Sequence, residues 1–306
     1  MTIEARTILG PAVAALTQAG IASARQDARL LLGFALGRDS AVLPHEDVRG
    51  WTGDLDRLFQ TYVARRVVGE PVSRIRGWRE FWSLNFELSA ATLDPRPDSE
   101  ILVERAIAYG KGRLGDDRDH GRDQGLRLLD MGTGSGCLLL ACLSELPLAT
   151  GLGIDINPDA IDMAAHNAGA LGLADRATFA VADFTASMEG FGCFDIILSN
   201  PPYIPSAQIA TLSSEVAVHD PLLALDGGQD GLDCWRRLMP EMAKLLSARG
   251  HIFVEIGDGQ GAAVTALARA AGLSAAGVFA DLSGTHRCLV FTGVANHEVA
   301  AKMPDA

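Results

Sequence analysis

The chain is 306 residues long, with 48% hydrophobic and 21% charged residues, the make-up of an ordinary globular protein with core enough for two domains. A formal net charge of −12 argues against a broad nucleic-acid-binding face, because affinity for a duplex rests on neutralised phosphates. No stretch reaches the length of a membrane span without Gly, Pro or charge, and Met1-Thr2-Ile3-Glu4 lacks the basic start and apolar run of a signal peptide, so a cytoplasmic protein is expected.

Residues 1–75 read as a helical domain. The run over residues 24–36 stops at Gly37, and Leu55, Leu58, Phe59, Tyr62, Val63 and Arg66 recur at helical spacing before Gly69. Arg65, Arg66, Arg74, Arg76 and Arg79 make a local basic run, by default a solvated face and alternatively a docking patch for an acidic partner surface or ribosomal RNA. Residues 76–93 read as a linking hairpin built around residues 81–86, and residues 110–125, rich in Asp, Arg and Gly, as a solvated loop. Strands and helices then alternate, with strand candidates at 126–131, 151–156, 177–182, 194–199, 251–256, 275–280 and 287–293. That order predicts an α/β fold over residues 94–306, a doubly wound, mostly parallel, Rossmann-like sheet. The five cysteines (Cys137, Cys142, Cys193, Cys234, Cys288) contain no Cys-x-x-Cys pair, so they read as reduced core residues and signal neither metal nor disulfide.

The first strand of the sheet runs from Leu128 through Asp130 and Met131 into Gly132-Thr133-Gly134-Ser135-Gly136, and a helix begins near Cys137. Glycines let backbone approach a ligand closely, and a helix amino terminus offers free N–H groups. A dinucleotide fingerprint wants its third glycine at position 137, where Cys137 stands; the G-x-G-x-G form behind Asp130 suits S-adenosylmethionine better than NAD. About twenty residues on, Asp155 ends the second strand, where a carboxylate bridges ribose hydroxyls, and Asp183-Phe184 ends the third, beside the expected adenine. Each element alone is weak. Their order, at the carboxyl ends of successive strands, is what points to one crevice.

The fourth strand, 194–199, delivers Asn200-Pro201-Pro202-Tyr203. A planar amide or exocyclic-amine nitrogen is a poor nucleophile because its lone pair is delocalised. The Asn200 side-chain oxygen and the Pro201 carbonyl can accept its two N–H groups, which favours a pyramidal nitrogen with its lone pair aimed at an incoming methyl group. Two prolines preset the carbonyl direction, and Tyr203 can stack on the planar group. The bland alternative is a Pro-rich turn that merely closes a strand.

Over nearly its whole length the chain resembles the release factor glutamine N5-methyltransferases, the HemK/PrmC type of class I methyltransferase. The matching segments are Glu70-Pro71-Val72, Gly77 to Phe81, Pro95-Arg96-Pro97-Asp98-Ser99-Glu100, the glycine loop, Asn200 to Tyr203, Leu225-Asp226-Gly227-Gly228 with Asp230-Gly231, and Asp281-Leu282-Ser283-Gly284 with Arg287. The resemblance implies a seven-stranded sheet behind a small helical substrate-docking domain, S-adenosylmethionine as cofactor, and a glutamine in the Gly-Gly-Gln loop of class I peptide chain release factors as substrate. Carried over residue by residue, Gly132, Thr133, Gly134, Ser135, Gly136, Asp155, Phe184 and Asn200 contact the cofactor, and Asn200, Pro201, Pro202 and Tyr203 are the catalytic and substrate-binding residues. The chain departs from the family at Asp94 (usually aliphatic), Arg74 (commonly aromatic) and Phe184 (frequently Trp).

Two related chemistries compete: a glutamine methyltransferase of a large-subunit ribosomal protein, and a DNA or RNA adenine-N6 methyltransferase, which would flip a base into the pocket. The net charge and the lack of a basic recognition domain weigh against the nucleic-acid reading, and neither DNA nor a membrane is expected as partner. A non-catalytic cofactor-binding scaffold would have lost Asn200 or the glycine loop; both are intact. Gly227-Gly228-Gln229 imitates the expected substrate loop and reads as a plain turn. His219 and Glu255 are not needed as bases, because the protonated amide left after methyl transfer is acidic enough to lose its proton to water; Glu255 ends a strand near the crevice and reads as structural.

Overall fold

The computed structural model describes residues 2–119, 125–184, 188 and 190–294. It divides into two compact units, residues 1–78 with 212–219, and residues 79–211 with 220–306.

In the first unit a two-stranded antiparallel ribbon, β1 (Thr2–Glu4) and β2 (Asp47–Arg49), accompanies helices α1 (Ala5–Gln18), α2 (Ala24–Ala35), α3 (Gly53–Val67) and α4 (Val72–Arg76). Their apolar stripes, including Leu9, Leu16, Leu31, Leu32, Phe59 and Val63, close into a core. Thr52 caps α3 by accepting from the Leu55 N–H, Asp54 and Asp56 occupy its first turn and Arg65 and Arg66 its last, all matched to the helix dipole. Gly37 and Gly69 take positive φ at the predicted stops, 68° and 94°.

The basic run is a solvated face only in part: Arg65 and Arg79 keep partly exposed side chains, and Arg66 does not. Arg66 is 3% exposed; its Nε stands 2.7 Å from Asp27 Oδ2, and Nη2 pairs with Glu215 of the same unit. Arg76 lies over the Trp78 ring at 3.6 Å and donates to the Asp39 carbonyl. Arg65 pairs with Glu70 and stays partly exposed. The buried guanidiniums are structural, because their unpaired burial would be far more costly than leaving them in water.

The second unit opens with the hairpin β3 (Trp78–Phe81) and β4 (Leu84–Glu87), turned at Trp82 and Ser83, both with positive φ. A short 3₁₀ turn, Pro97–Ser99, leads into α5 (Glu100–Asp119). Here the expected loop at 110–125 is corrected: α5 runs on to Asp119, and residues 120–124 lie outside those described. Gly110 looked like punctuation, yet it is a close-packing glycine. A Cβ there would stand 2.9 Å from the Leu146 side chain and 3.3 Å from that of Leu126.

The remaining elements are β5 (Arg127–Met131), α6 (Cys137–Glu145), β6 (Thr150–Asp155), α7 (Pro158–Ala170), β7 (Ala177–Val181), β8 (Phe194–Ser199), the short α8 (Ser206–Ile209), α10 after the first unit's α9 (Ser214–Ala217), β9, α11, β10 and β11. Of these, α10 spans Asp233–Leu245, β9 Leu246–Glu255, α11 Gly261–Ala270, β10 Leu273–Ala280 and β11 His286–Gly293. One seven-stranded sheet results, in the order β10-β11-β9-β8-β5-β6-β7. It is parallel from β9 to β7, and β11 is antiparallel to both its neighbours. Both faces are covered, so the central strands are apolar throughout: Leu128, Ile196 and Phe253 face one core with α5 and α6, and Leu129, Ile197 and Ile252 the other with α10 and α11. Cys142 and Cys288 are core residues as expected, but Cys193 is exposed, in the loop before β8, and Cys137 and Cys234 are half-buried. Among the described residues no helix is long and apolar enough to cross a membrane.

Candidate active site

The glycine loop leaves β5 at the carboxyl edge of the sheet. The N–H groups of Gly132 and Thr133 both donate to the Ile154 carbonyl at 2.9 Å, tying the loop to β6. Gly132, Gly134 and Gly136 adopt φ of 79°, 54° and 81°, a region that side chains rarely enter. Asp155, ending β6, accepts from the Gly134 N–H through Oδ2 and from the Asn157 N–H through Oδ1, each at 3.0 Å. Both oxygens keep lone pairs for a ligand. Below the loop Asp130 is wholly buried and accepts from the Thr133 hydroxyl at 2.8 Å; burial pushes its pKa up to about 7 against the pull of that hydrogen bond.

β8 brings the second element. Ser199 Oγ donates to the Met131 carbonyl at 2.7 Å, fixing the end of β8 against β5. In the following turn Asn200 Nδ2 stands 3.3 Å from Ser99 Oγ, and the Tyr203 hydroxyl donates to Glu255 Oε1 at 3.0 Å. The Tyr203 carbonyl accepts from Gln260 Nε2 at 2.9 Å. Gly227 N–H donates to the Ile204 carbonyl at 2.8 Å, so Gly227-Gly228 backs the turn, while Gln229 is exposed beside it. A turn is what Gly227-Gly228-Gln229 is.

These elements meet in a cavity of about 320 Å³. Its lining takes in Gly132, Thr133, Gly134, Ser135, Asp155, Phe184, Asn200, Pro201 and Pro202. Gly136 is not in the lining; it is the N-cap of α6, and a Cβ there would press on Leu140 and Ala164. Nor is Tyr203, whose ring turns toward Glu255. His219 also lies outside the lining. Wall residues that the strand-end reading missed come from before the sheet (Leu93, Arg96, Ser99) and from the segment after the turn (Leu223, Asp226, Arg237). The signal for several of them is the family segments at 95–100 and 225–228. Cys137 and Cys234 also reach the wall, which is why they are not core residues. Asp94, where the family is usually aliphatic, is buried just before Pro95; its Oδ1 is 3.9 Å from Arg79 Nε and its N–H donates to Asp220 Oδ1 at 3.3 Å.

The cradle fits a flat, polar adenosine group. A Cβ on Gly134 would project into open space, and one on Gly132 would meet the Phe184 ring edge at 3.6 Å, so loop and ring stand a side chain's width apart. Asp155 supplies the paired acceptors beside them.

Residues 7–77 match the model of the PrmC N-terminal domain, and residues 122–276 match a Methyltransferase domain model. The release factor glutamine methyltransferase of Rhodospirillum rubrum is 48% identical over 90% of this chain and 81% of its own length. That of Bradyrhizobium diazoefficiens is 47% identical over 85% of this chain and 84% of its own. The chain belongs to the release factor glutamine methyltransferase family. The same name is carried by a Moorella thermoacetica relative, 39% identical over 93% and 97% of the two chains. Among solved structures, a methyltransferase from Pyrococcus furiosus aligns with a TM-score of 0.51 at 15% identity, over 77% of this chain and all of that one. The hMettl16 catalytic domain, in complex with the MAT2A 3′UTR hairpin 6, aligns with a TM-score of 0.53 at 14% identity, over 83% and 86%. At such identities these two speak for the fold alone, and they agree with the predicted class I methyltransferase sheet.

Proposed function

We propose that this chain transfers a methyl group from S-adenosylmethionine to the side-chain amide N5 of the glutamine in the Gly-Gly-Gln motif of class I peptide chain release factors, in the cytoplasm. The observation that carries the reading is the meeting, in one cavity, of the glycine loop, Asp155 and the Asn200-Pro201-Pro202 turn, within a chain of this family. S-adenosylmethionine supplies an electrophilic methyl group on a sulfonium. Gly132 to Ser135 and Asp155 hold it, with Phe184 beside the adenine; Gly136 and Tyr203 act by shaping the loop and the turn. Asn200 Oδ1 and the Pro201 carbonyl accept the two N–H groups of the substrate amide, holding the nitrogen in the geometry its lone pair needs. The proton displaced on methylation leaves for water, and no side-chain base is required.

Residues 1–75 serve in this reading as the substrate-docking domain, residues 76–93 as the link and residues 94–306 as the methyltransferase domain. A lone glutamine gives the pocket little to recognise, so specificity comes from remote binding energy. With Arg66 buried and Arg76 half-buried, that grip uses other surface of the helical domain than the basic run as a whole.

The test is incubation with labelled S-adenosylmethionine and purified release factors, followed by mass mapping. Label on the Gly-Gly-Gln glutamine is expected, and Asn200→Ala should lower turnover by at least about a hundredfold while the protein stays folded. Label on a ribosomal protein or on adenine, with none on release factor, overturns the assignment.

A further inference from the structure

One carboxylate behind the turn has no part in the chemistry so far. Glu255 ends β9, is 2% exposed, and both its oxygens are engaged. Oε2 accepts from the Ser99 hydroxyl, and Oε1 from the Tyr203 hydroxyl at 3.0 Å. Ser99 closes the 3₁₀ turn before α5, and its Oγ faces Asn200 Nδ2 at 3.3 Å. Three separate pieces of the chain thus converge on one buried acid: the turn before α5, the end of β9 and the turn after β8.

The direction of these bonds matters more than their number. A serine hydroxyl has one hydrogen, and an ionised carboxylate only accepts. Ser99 gives its hydrogen to Glu255, so toward Asn200 it presents lone pairs alone. It therefore selects the NH₂ end of the Asn200 amide, and Oδ1 is left on the opposite side with no hydrogen-bond partner among the described residues. Reversing the amide would bring two acceptors face to face.

We propose that Glu255 and Ser99 are positioning residues that fix the amide orientation of Asn200, presenting Oδ1 as the acceptor for the substrate N–H. This rests on the methyl-transfer reading above. The same carboxylate anchors Tyr203, so both ends of the Asn200–Tyr203 turn are referred to one point. Protonation of Glu255 would make it a donor, free the Ser99 hydrogen to point at Asn200, and release the orientation. Burial pushes the Glu255 pKa up, opposed by the Ser99 and Tyr203 hydroxyls and by Arg287, while Asp98 pushes it further up; the other titratable neighbours are the thiols of Cys137 and Cys288.

The experiment uses the full chain, with kcat and KM on an intact release factor, calorimetric affinity for S-adenosylmethionine, and hydrogen exchange of the Asn200 side-chain amide by NMR. Ser99→Ala and Glu255→Gln should each lower kcat about ten- to a hundredfold, with KM and cofactor affinity within about threefold of wild type. Ser99→Thr, which keeps the hydroxyl, should recover most of what Ser99→Ala loses. Glu255→Gln should also abolish the acid limb of the kcat profile. Amide exchange at Asn200 should be slow in the wild type and Ser99→Thr, and fast in Ser99→Ala. The proposal is overturned by wild-type kcat in Ser99→Ala, by equal losses in the Ala and Thr variants, or by unchanged amide exchange. Should Glu255→Gln not fold, the Ser99 pair decides alone. A wild-type protein that methylates no release factor overturns the reaction instead, and the exchange measurement still tests the network.

Discussion

Asp27 and Arg66 form an ion pair inside the helical unit, 2.7 Å apart and 6% and 3% exposed. They lie in the first turn of α2 and the last turn of α3, and Ser23 Oγ adds a 2.8 Å hydrogen bond to the same Asp27 oxygen. Glu215 completes the shell around Arg66. Removing Arg66 leaves Asp27 buried without a counter-charge, whereas removing Asp27 leaves Arg66 paired with Glu215 alone. Arg66→Ala should lower unfolding stability by about 3–5 kcal/mol, and Asp27→Ala by less. Arg65→Ala, which breaks a partly exposed pair, should cost no more than about 1 kcal/mol. Urea titration distinguishes them, and equal midpoints for Arg65→Ala and Arg66→Ala would show that the buried pair carries no special weight. A docking test by charge reversal should therefore spare Arg66.

In the proposed function the Asp155 carboxylate, which accepts the Gly134 N–H, holds two ribose hydroxyls. Losing a paired acceptor for buried donors costs about 2–3 kcal/mol, so Asp155→Ala should weaken S-adenosylmethionine binding thirtyfold or more. Asp155→Asn keeps one acceptor and should lose less. Calorimetric titration is the check, and an unchanged dissociation constant in Asp155→Ala removes the ribose assignment.

Gly227 packs against the backbone of the Asn200–Tyr203 turn. A Cβ there would stand 2.8 Å from Tyr203 Cα and 2.9 Å from Gly231 Cα, and neither is a flexible side-chain tip. Gly227→Ala must shift the turn, costing about 1–3 kcal/mol and lowering turnover at least tenfold. Gly10→Ala, whose Cβ meets nothing within 4 Å on α1, is the control; it should be neutral or gain up to about 1 kcal/mol. Full turnover in Gly227→Ala would mean that the turn tolerates displacement.

The sheet was legible in the sequence because both its faces are covered. Strand 194–199 is apolar on each side and punctuated by Pro201, so its limits coincide with β8. β9 starts five residues before its apolar run, since pairing of Leu246 with Phe194 extends the strand through polar residues. Gly110 misled for a different reason: composition does not distinguish a glycine that turns the chain from one that lets a helix approach a neighbour. Arg66 carried its own signal, falling in line with Phe59 and Val63 on the buried stripe of α3, and that helical spacing told more about it than its place in a charge run. In the site, residues at strand ends were legible from position alone. Ser99 fell in the family segment 95–100 and Glu255 in the strand candidate 251–256, but their contact was not legible, because they lie 156 positions apart and only the fold brings the hydroxyl to the carboxylate.

Asp130 makes stability depend on pH in a direction that can be stated. Its pKa rises from 3.8 to about 7 on folding, chiefly through burial, opposed by the Thr133 hydroxyl and the Leu139 amide and aided slightly by Asp155. A raised folded-state value means that the native state holds a proton which the unfolded chain has released. The resulting stabilisation is complete below about pH 4, falls as the pH climbs through the interval, and is gone above about pH 7. About three pK units correspond to at most about 4 kcal/mol. Asp130→Asn mimics the protonated carboxyl, retains an acceptor for Thr133 and has no proton to lose. Its stability relative to wild type should therefore increase between pH 4 and pH 8, by up to that amount. The difference between variant and wild type isolates this group from Glu255, whose burial acts in the same sense in both proteins. Chemical denaturation across the pH range measures it, and a constant difference between the two proteins would show that Asp130 titrates alike in the folded and unfolded chains.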